Sequence, residues 1–506
     1  MSQQLILNNQ RTILRKYFEE NSIVKAQIDS FNAFIEKKLS EIILENRDIE
    51  PTIIPTNVED FKIKFNRIWV TKPEIIEADG SKRMIFPSEA RLRKMSYSAP
   101  VFIEVSSYIN GMQRESFKTQ IGSLPIMLHS KNCHLHGLSK KELIGKGEDP
   151  DDPGGYFIIN GTEKVVVAIE DLAANKLLIS KENIGVSEFV GKLFSERGSY
   201  KIPHQFEKLK DGIIYLTFTR VKRIPIIPII KALGMTRDEE IIKNIGMESS
   251  SEVFINLYEF VDLKDEDEAV DFVAKKIGIA QAKEIRIERM RDILDRYLLP
   301  HMSIRKEDRM FKAINLCKMI RKFLLVSSGQ LPEDDRDHYM NKRLRLAGDL
   351  LADLFKVNLK VLIGDMLYNF QRIVKRGKFP TIKVIIREKL LTERIYSSMA
   401  TGAWVGNRKG VSQRIERVNY LHTVSELQRV VSPLSTSQEN FEARALHGTH
   451  LGRLCPSETP EGTPIGLRKN LSLLCNISPE IDERAVFSTL KLLGLETDFK
   501  IKEKKD

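Results

Sequence analysis

His447-Gly-Thr-His450-Leu-Gly-Arg453-Leu-Cys455-Pro-Ser-Glu458-Thr-Pro460-Glu461-Gly462-Thr-Pro464-Ile-Gly466-Leu-Arg468-Lys469-Asn470-Leu-Ser472 holds three prolines, four glycines, two histidines, two carboxylates and three basic residues. Each interior proline would remove a helix hydrogen bond, and glycine weakens helix and strand alike. The spacing therefore predicts an irregular backbone on a fixed path. Long irregular segments inside compact domains usually carry function, although a rigid surface loop has the same composition.

A second dense block lies upstream: Ala400-Thr401-Gly402-Ala-Trp404-Val-Gly406-Asn-Arg408-Lys409-Gly410-Val-Ser412-Gln413-Arg414. Arg408 and Lys409 sit between two glycines, which predicts a basic tip on a glycine-hinged turn. Arg414 and Arg417 follow at helical spacing, and Trp404 suits core packing better than stacking on a base. Farther back come Asp334-Asp335-Arg336-Asp337-His338-Tyr-Met-Asn-Lys342-Arg343-Leu-Arg345-Leu-Ala-Gly348 and Asp152-Pro-Gly154-Gly155-Tyr156-Phe-Ile-Ile-Asn160-Gly161-Thr-Glu163-Lys164. Nearer the N-terminus are Gly122-Ser-Leu-Pro125-Ile-Met, Ser96-Tyr97-Ser-Ala-Pro100 and Gln27-Ile-Asp29-Ser30-Phe31-Asn32.

In this order the blocks resemble the second-largest subunit of multisubunit RNA polymerases, called beta in bacteria and B in archaea. The 447–472 stretch is similar to that subunit's His-Gly, Cys-Pro, Glu-Thr-Pro-Glu-Gly and Asn-Leu-Ser signature. Residues 400–414 resemble its fork, and 334–348 the run where the lobe hands back to the protrusion. The resemblance implies a multidomain α+β chain. Its parts would be the protrusion (first part, 1–171), an inserted lobe (172–338), the protrusion's return (339–383), the fork (384–475), and a C-terminal helix with a charged tail at a split point (476–506). A complete second-largest subunit is more than twice as long. In some archaea, methanogens and halophiles among them, it is encoded as two polypeptides. The chain resembles the N-terminal half, the B double-prime subunit, with a truncated fragment as the competing explanation. A start at Met1 and a polar end suit a natural chain better.

A chain of 506 residues is too long for one core and implies about three domains. Lys plus Arg number 80 against 69 acids, so the net charge of +11 suits a polyanionic partner, though it is spread thinly. The four cysteines lie far apart with no Cys-x-x-Cys, which argues against a structural zinc site and for reduced thiols packed in cores. No apolar run reaches the length of a membrane helix and no signal-peptide core opens the chain, so a soluble cytoplasmic protein is expected.

Residues 10–45 read as one helix, with Val24, Ile28, Phe31, Ile35, Leu39 and Ile42 on one face, ended by Pro51 and Pro55. Phe61 to Phe65 alternates as a strand, Val101 to Val105 is an apolar strand, and Tyr156 to Ile159 leads through Asn160-Gly161 into a hairpin. The acids Glu148, Asp149, Asp151 and Asp152 read as solvated rather than metal-binding. Beyond residue 170 come a strand at 213–218, an apolar strand edge at Ile224-Pro225 leading into a helix, a helix at 252–261 and an acidic helix start at 265–268. Amphipathic helices are expected over 339–355 and 359–374, an apolar strand over 471–474, and a last helix from Ser478-Pro479 to Gly494.

RNA synthesis needs divalent ions held by clustered aspartates, and neither that cluster nor a phosphate-binding Gly-Lys-Ser/Thr loop occurs. The resemblance places the metal-binding aspartates, and with them Mg2+, in the largest subunit, and the lysines that hold the hybrid in the missing half. No catalytic residue, metal ligand or cofactor is therefore assigned to this chain. Positioning remains: basic side chains make phosphate contacts that set register without reading sequence. By resemblance, Arg408, Lys409, Arg414, Arg417, Gln428, Arg429, Arg444 and Arg453 are the nucleic-acid contacts, and His447, Glu458, Glu461 and Arg468 the active-centre scaffold. The two glutamates are expected to pair with Arg453, Arg468 or a partner subunit. Bacterial relatives carry a rifamycin pocket on this wall, but 433–441 is short and differs, so drug binding is not carried over. The implied function is one wall of the DNA cleft in an enzyme that transcribes DNA into RNA from ribonucleoside triphosphates. Its implied partners are the complementary half, the largest and other subunits, the DNA template and the RNA–DNA hybrid. The rival class is a non-enzymatic nucleic-acid-binding or assembly protein, distinguished by needing no complementary half.

Overall fold

The computed structural model describes residues 3–54, 58–182, 187–197, 200–219, 221–246, 250–478 and 483–496. Helix and sheet are mixed, and the chain divides into two compact units, Met1–Glu170 with Leu344–Asp506, and Asp171–Arg343.

In the first unit the expected single N-terminal helix is broken. Helix Gln3–Glu20 is followed by Lys25–Ala33, a wider turn Phe34–Lys38 and helix Leu39–Glu45. The break falls where Asn21 turns its side-chain amide back onto the Tyr17 carbonyl at 3.2 Å, the competition with the helix ladder typical of asparagine. The apolar face is as read: Val24, Phe31, Leu39 and Ile42 are buried, with Ile28 and Ile35 packed against the same core. Pro51 does not end the helix: the helix stops at Glu45, where the Asn46 side-chain amide turns back onto the Ile42 carbonyl at 2.8 Å, and the strand Asp48–Ile49 comes before Pro51; Pro55 lies outside the described residues.

That face packs beside a four-stranded antiparallel sheet of Asp48–Ile49, Phe61–Val70, Ser98–Ile109 and Met112–Pro125, in chain order. Phe61, Ile63 and Phe65 alternate into the core. The two helices expected over 339–355 and 359–374 are instead one, Ala347–Val374, preceded by a short turn and the strand Lys342–Arg345. Asp349 accepts the Leu346 N–H at 3.1 Å and fixes the start, and no breaker interrupts 356–358. The next two N–H groups are satisfied from helix Lys25–Ala33. Gln27 Oε1 accepts from Ala347 at 2.9 Å and Ser30 Oγ from Gly348 at 3.1 Å.

The hairpin Phe157–Ile159 with Thr162–Val166 forms as expected, with Asn160 and Gly161 at φ 50° and 73°. The charged tail and Pro479 lie outside the described residues. The last helix, Glu483–Leu492, closes where Gly494 takes φ 95°.

The second unit is a five-stranded antiparallel sheet in chain order, Leu178–Lys181, Phe189–Arg197, Tyr200–Lys208, Ile214–Phe218 and Val221–Pro225, with helices packed on it. The last strand runs into Ile226–Ala232, every residue of which is buried. Helices Ser250–Tyr258 and Glu266–Ile277 stand near their expected positions, the acids of the latter answered by Arg291 at 2.9 and 2.6 Å.

His204 is buried in this unit. Its Nδ1–H donates to the Ile202 carbonyl at 3.1 Å and its Nε2 accepts the Leu299 N–H at 3.1 Å, so it must be neutral. Burial pushes its pKa down to about 4. Above pH 6.5 both folded and unfolded states hold it neutral. Below that the unfolded chain takes up a proton that the folded unit refuses until about pH 4, so stability is lost as the pH falls through this window. By pH 5 the second unit is expected to lose about 2 kcal/mol. Urea unfolding between pH 7 and 5, with a probe in this unit, checks it; the pH slope should flatten in His204→Gln.

Candidate nucleic-acid interface

The candidate interface residues lie in the first unit. Helix Glu388–Thr401 ends at Gly402 with φ 77°, where a Cβ would lie 2.7 Å from the Ser412 carbonyl oxygen. The chain then folds into the basic tip, closed by the Trp404 N–H on the Arg408 carbonyl at 2.8 Å. Gly406, Asn407 and Gly410 all take positive φ. Trp404 is core, its indole N–H on the Leu350 carbonyl at 2.8 Å. Lys409 is exposed and Arg408 half-buried. Both line a cavity of about 640 Å³ with Arg468 and Pro464 from the 447–472 stretch, over an apolar floor that includes Val167 and Ile169.

Arg414 and Arg417 do not share a helix. Arg414 ends the strand Ser412–Arg414, which pairs antiparallel with 164–166, and it is exposed. Strand Arg429–Val431 pairs antiparallel with Arg468–Asn470 and parallel with 168–169, so the stretch is tied into the unit. The Arg429 guanidinium reaches Gln413 at 3.2 Å and lies 3.8 Å from Glu426. Gln428, half-buried, accepts the Leu471 N–H on its backbone.

Within the 447–472 stretch the path is fixed by polar pins. Thr459 Oγ1 donates to the Arg468 carbonyl at 2.9 Å and accepts the Gly466 N–H at 3.0 Å. Asn470 donates to the Ser425 carbonyl at 2.8 Å. His447 Nδ1 accepts the Thr449 N–H at 3.2 Å. Arg453, exposed, donates to the Thr449 carbonyl at 3.0 Å. Glu458 accepts from the Ser425 hydroxyl at 2.5 Å, and Glu461 is exposed. The expected pairing of these glutamates with Arg453 or Arg468 is not formed. Hydrogen bonding to Ser425 holds Glu458 instead. The expected strand 471–474 is cut to a single residue: Leu471 makes one antiparallel bridge to Leu454, and beyond it the Cys475 N–H on the Ser472 carbonyl closes a turn. Cys133 and Cys317 are buried thiols, but Cys455 and Cys475 are half-exposed in these loops rather than packed in cores. The Ser457 hydroxyl draws the Cys455 thiol below its usual pKa.

The chain matches the family described as RNA polymerase beta subunit over residues 22–393, and RNA polymerase Rpb2, domain 3, over 413–477. It belongs to the RNA polymerase beta subunit family. It is 43% identical over 495 residues to the DNA-directed RNA polymerase subunit Rpo2N of Methanocaldococcus jannaschii, covering 96% of this chain and 99% of that one. To the Rpo2N of Halobacterium salinarum it is 38% identical, covering 97% of each chain. Against the subunit Rpo2 of Saccharolobus solfataricus, identity is 40% over 98% of this chain but only 44% of that one. The chain thus spans nearly all of the relatives named Rpo2N and less than half of those named Rpo2. It is a component of a DNA-directed RNA polymerase, a nucleotidyltransferase, and the rival reading as a non-enzymatic binding protein gives way.

Three cations of this polymerase component are used internally in ways the sequence did not reveal. Arg444 donates to four backbone carbonyls, of Thr463, Ile465, Thr436 and Gln438, at 2.6 to 3.1 Å. It ties the 436–438 loop to the 463–465 loop. Gly466 crosses directly over it, with φ 71° and room for no Cβ, which would lie 2.3 Å from the Arg444 carbonyl oxygen. Lys469 is buried, its Nζ 3.2 and 3.1 Å from the two carboxylate oxygens of Glu170. Arg417 meets Glu163 at 2.5 Å, and Asp152 and the Tyr156 hydroxyl at 2.8 Å each. Two of the acids expected in solvent therefore turn inward: Asp152, and Glu148, which Arg91 meets at 2.8 Å. Burial raises the Asp152 pKa, but the Gly154 N–H, the Tyr156 hydroxyl and Arg417 outweigh it and hold the carboxyl below its usual range. The signal for Arg444 in the sequence is its place between the polar run 435–440 and the proline- and glycine-rich 447–472 stretch, whose carbonyls lack helix or strand partners.

No helix among the described residues is long and apolar enough to cross a membrane. Among the same residues no group of three or more His, Cys, Asp or Glu side chains could hold a metal ion.

Proposed function

We propose that this chain is the N-terminal half of a split second-largest subunit, the B double-prime chain, comprising protrusion, lobe and fork. It would form one wall of the DNA cleft and part of the active-centre lining, completed by the C-terminal half and the largest subunit. The near-complete span of the Rpo2N relatives supports the split. The Mg2+ that the chemistry requires is expected in the largest subunit, and no chemical step is assigned to residues of this chain. Its contribution is positioning. Arg408 and Lys409 project from a glycine-hinged tip beside the cavity that Arg468 also lines, and this juxtaposition carries the reading. Cations held there would grip phosphates of the template or hybrid, fixing register while leaving sequence unread.

Reconstituted polymerase carrying Arg408→Ala with Lys409→Ala tests it. The salt slope of DNA affinity is expected to fall by roughly 0.9 for each phosphate the variant no longer neutralises, with sequence preference unchanged. Lys409→Ala alone, at the exposed position, should move stability by less than about 0.5 kcal/mol. An unchanged slope with assembly intact would make the tip a solvated loop.

A further inference from the structure

Arg417 was expected among the nucleic-acid contacts, yet the structure surrounds it with carboxylates. Its guanidinium bridges Asp152 and Glu163 and donates to the Tyr156 hydroxyl at 2.8 Å. The same hydroxyl accepts from Arg91 at 2.8 Å and donates to Asp152 at 2.7 Å. Arg91 in turn holds Glu163 at 2.7 Å and Glu148 at 2.8 Å. Tyr156 is fully buried, so its one hydroxyl joins two arginines and a carboxylate in a closed network. Glu163 is the first residue after Thr162 in the hairpin strand that carries Ser412–Arg414. The two strands are clamped at both ends, by the Ile415 N–H on the Glu163 carbonyl at 3.1 Å and the Val167 N–H on the Val411 carbonyl at 3.0 Å. The basic tip at 406–410 opens directly from the Val411 end of that clamp, and Arg417 lies just past the other.

We infer that Arg417 is a positioning residue that locks the strand Ser412–Arg414 onto the 162–166 strand and thereby sets where the tip holds its cations. Charge decides against a direct phosphate contact. Three carboxylates, Glu148, Asp152 and Glu163, stand against two arginines in the network, so it presents no excess positive charge. Two long side chains held by several charge-assisted bonds are well suited to fixing geometry, because a planar guanidinium accepts few orientations of its partners. The inference rests on the proposed role of the tip.

The opposed signs of one substitution test it. In reconstituted polymerase with a labelled, pre-melted DNA duplex as probe, Glu163→Gln is expected to weaken binding about fivefold, within the coupling range of contacting residues. Tyr156→Phe should weaken it in the same direction, and so should Arg417→Lys, which keeps the charge but not the planar fork. If Arg417 gripped phosphate instead, Glu163→Gln would release it from a competing carboxylate and strengthen binding, which overturns the inference. On the Arg408→Ala, Lys409→Ala background, Glu163→Gln is expected to cost nothing further. An equal further loss there also overturns it. Amide exchange separates this from the tip reading: Glu163→Gln should lose protection at 412–414 while 171–343 keeps its own. If the tip variant leaves binding unchanged but that protection is lost, the tip reading falls and the lock stands. Retained protection at 412–414 sinks the lock whatever the tip does. Should Glu163→Gln fail to assemble, Tyr156→Phe, which removes one oxygen, carries the same readouts.

Discussion

Gly348→Ala is expected to destabilise the first unit by about 3 kcal/mol, although it places a better helix former in a helix. The added Cβ would stand 2.0 Å from the Ser30 carbonyl oxygen and 2.5 Å from its carbonyl carbon, both backbone atoms that cannot swing away. Relief requires the start of Ala347–Val374 to withdraw from Lys25–Ala33. That withdrawal also breaks the Gln27 and Ser30 hydrogen bonds to the first N–H groups. The gain in helix propensity, about 1 kcal/mol, is too small to offset this. Gly364 in the same helix has nothing within 4 Å of its Cβ position, so Gly364→Ala should stabilise by up to about 1 kcal/mol. Opposite shifts of the urea midpoint for the two variants are the expected result. A neutral or stabilising Gly348→Ala would mean that the two helices do not approach as described.

The same close approach shows what was legible in the sequence. Gln27-Ile-Asp-Ser30 and the run ending in Gly348 could be picked out as blocks, and the burial of Phe31 and Leu39 followed from helical spacing. Local chemistry was readable too, since Asn160-Gly161 dictates its own turn and Ile226–Ala232 is too apolar to face water. Residues 339–345 were read as helix because their pattern is ambiguous, and only the Asp349 cap shows where the helix starts. The destination of each cation was hidden for a different reason. Arg417 lies 254 residues from Glu163, and Lys469 lies 299 from Glu170. A basic residue beside glycines looks the same in sequence whether it will meet a phosphate, a carboxylate or a ring of carbonyls. Long-range topology decides among these, and for Arg417, Arg444 and Lys469 it chose internal partners.

Lys469→Met is expected to cost the first unit about 3 to 5 kcal/mol, more than the helix clash at Gly348. Both partners of the pair are buried, and the lysine meets both oxygens of Glu170. Removing the cation takes away the ammonium that meets both oxygens of a buried carboxylate, and the penalty comes from the lost compensation of that charge rather than from the missing attraction. The sign of the second substitution follows. Glu170→Gln in the Lys469→Met background removes the under-compensated charge and should recover part of the loss, so the two changes are non-additive. Lys469 sits in the strand Arg468–Asn470, whose neighbours Arg468 and Pro464 line the tip cavity. Loss of the pair should therefore loosen that strand first, and amide exchange at 468–470 should rise before the rest of the unit opens. A thermal or urea series on the single and double variants checks the cycle. Additive losses, or a single variant as stable as the parent chain, would show that the pair is hydrated in solution and that the strand is held by its backbone bonds alone.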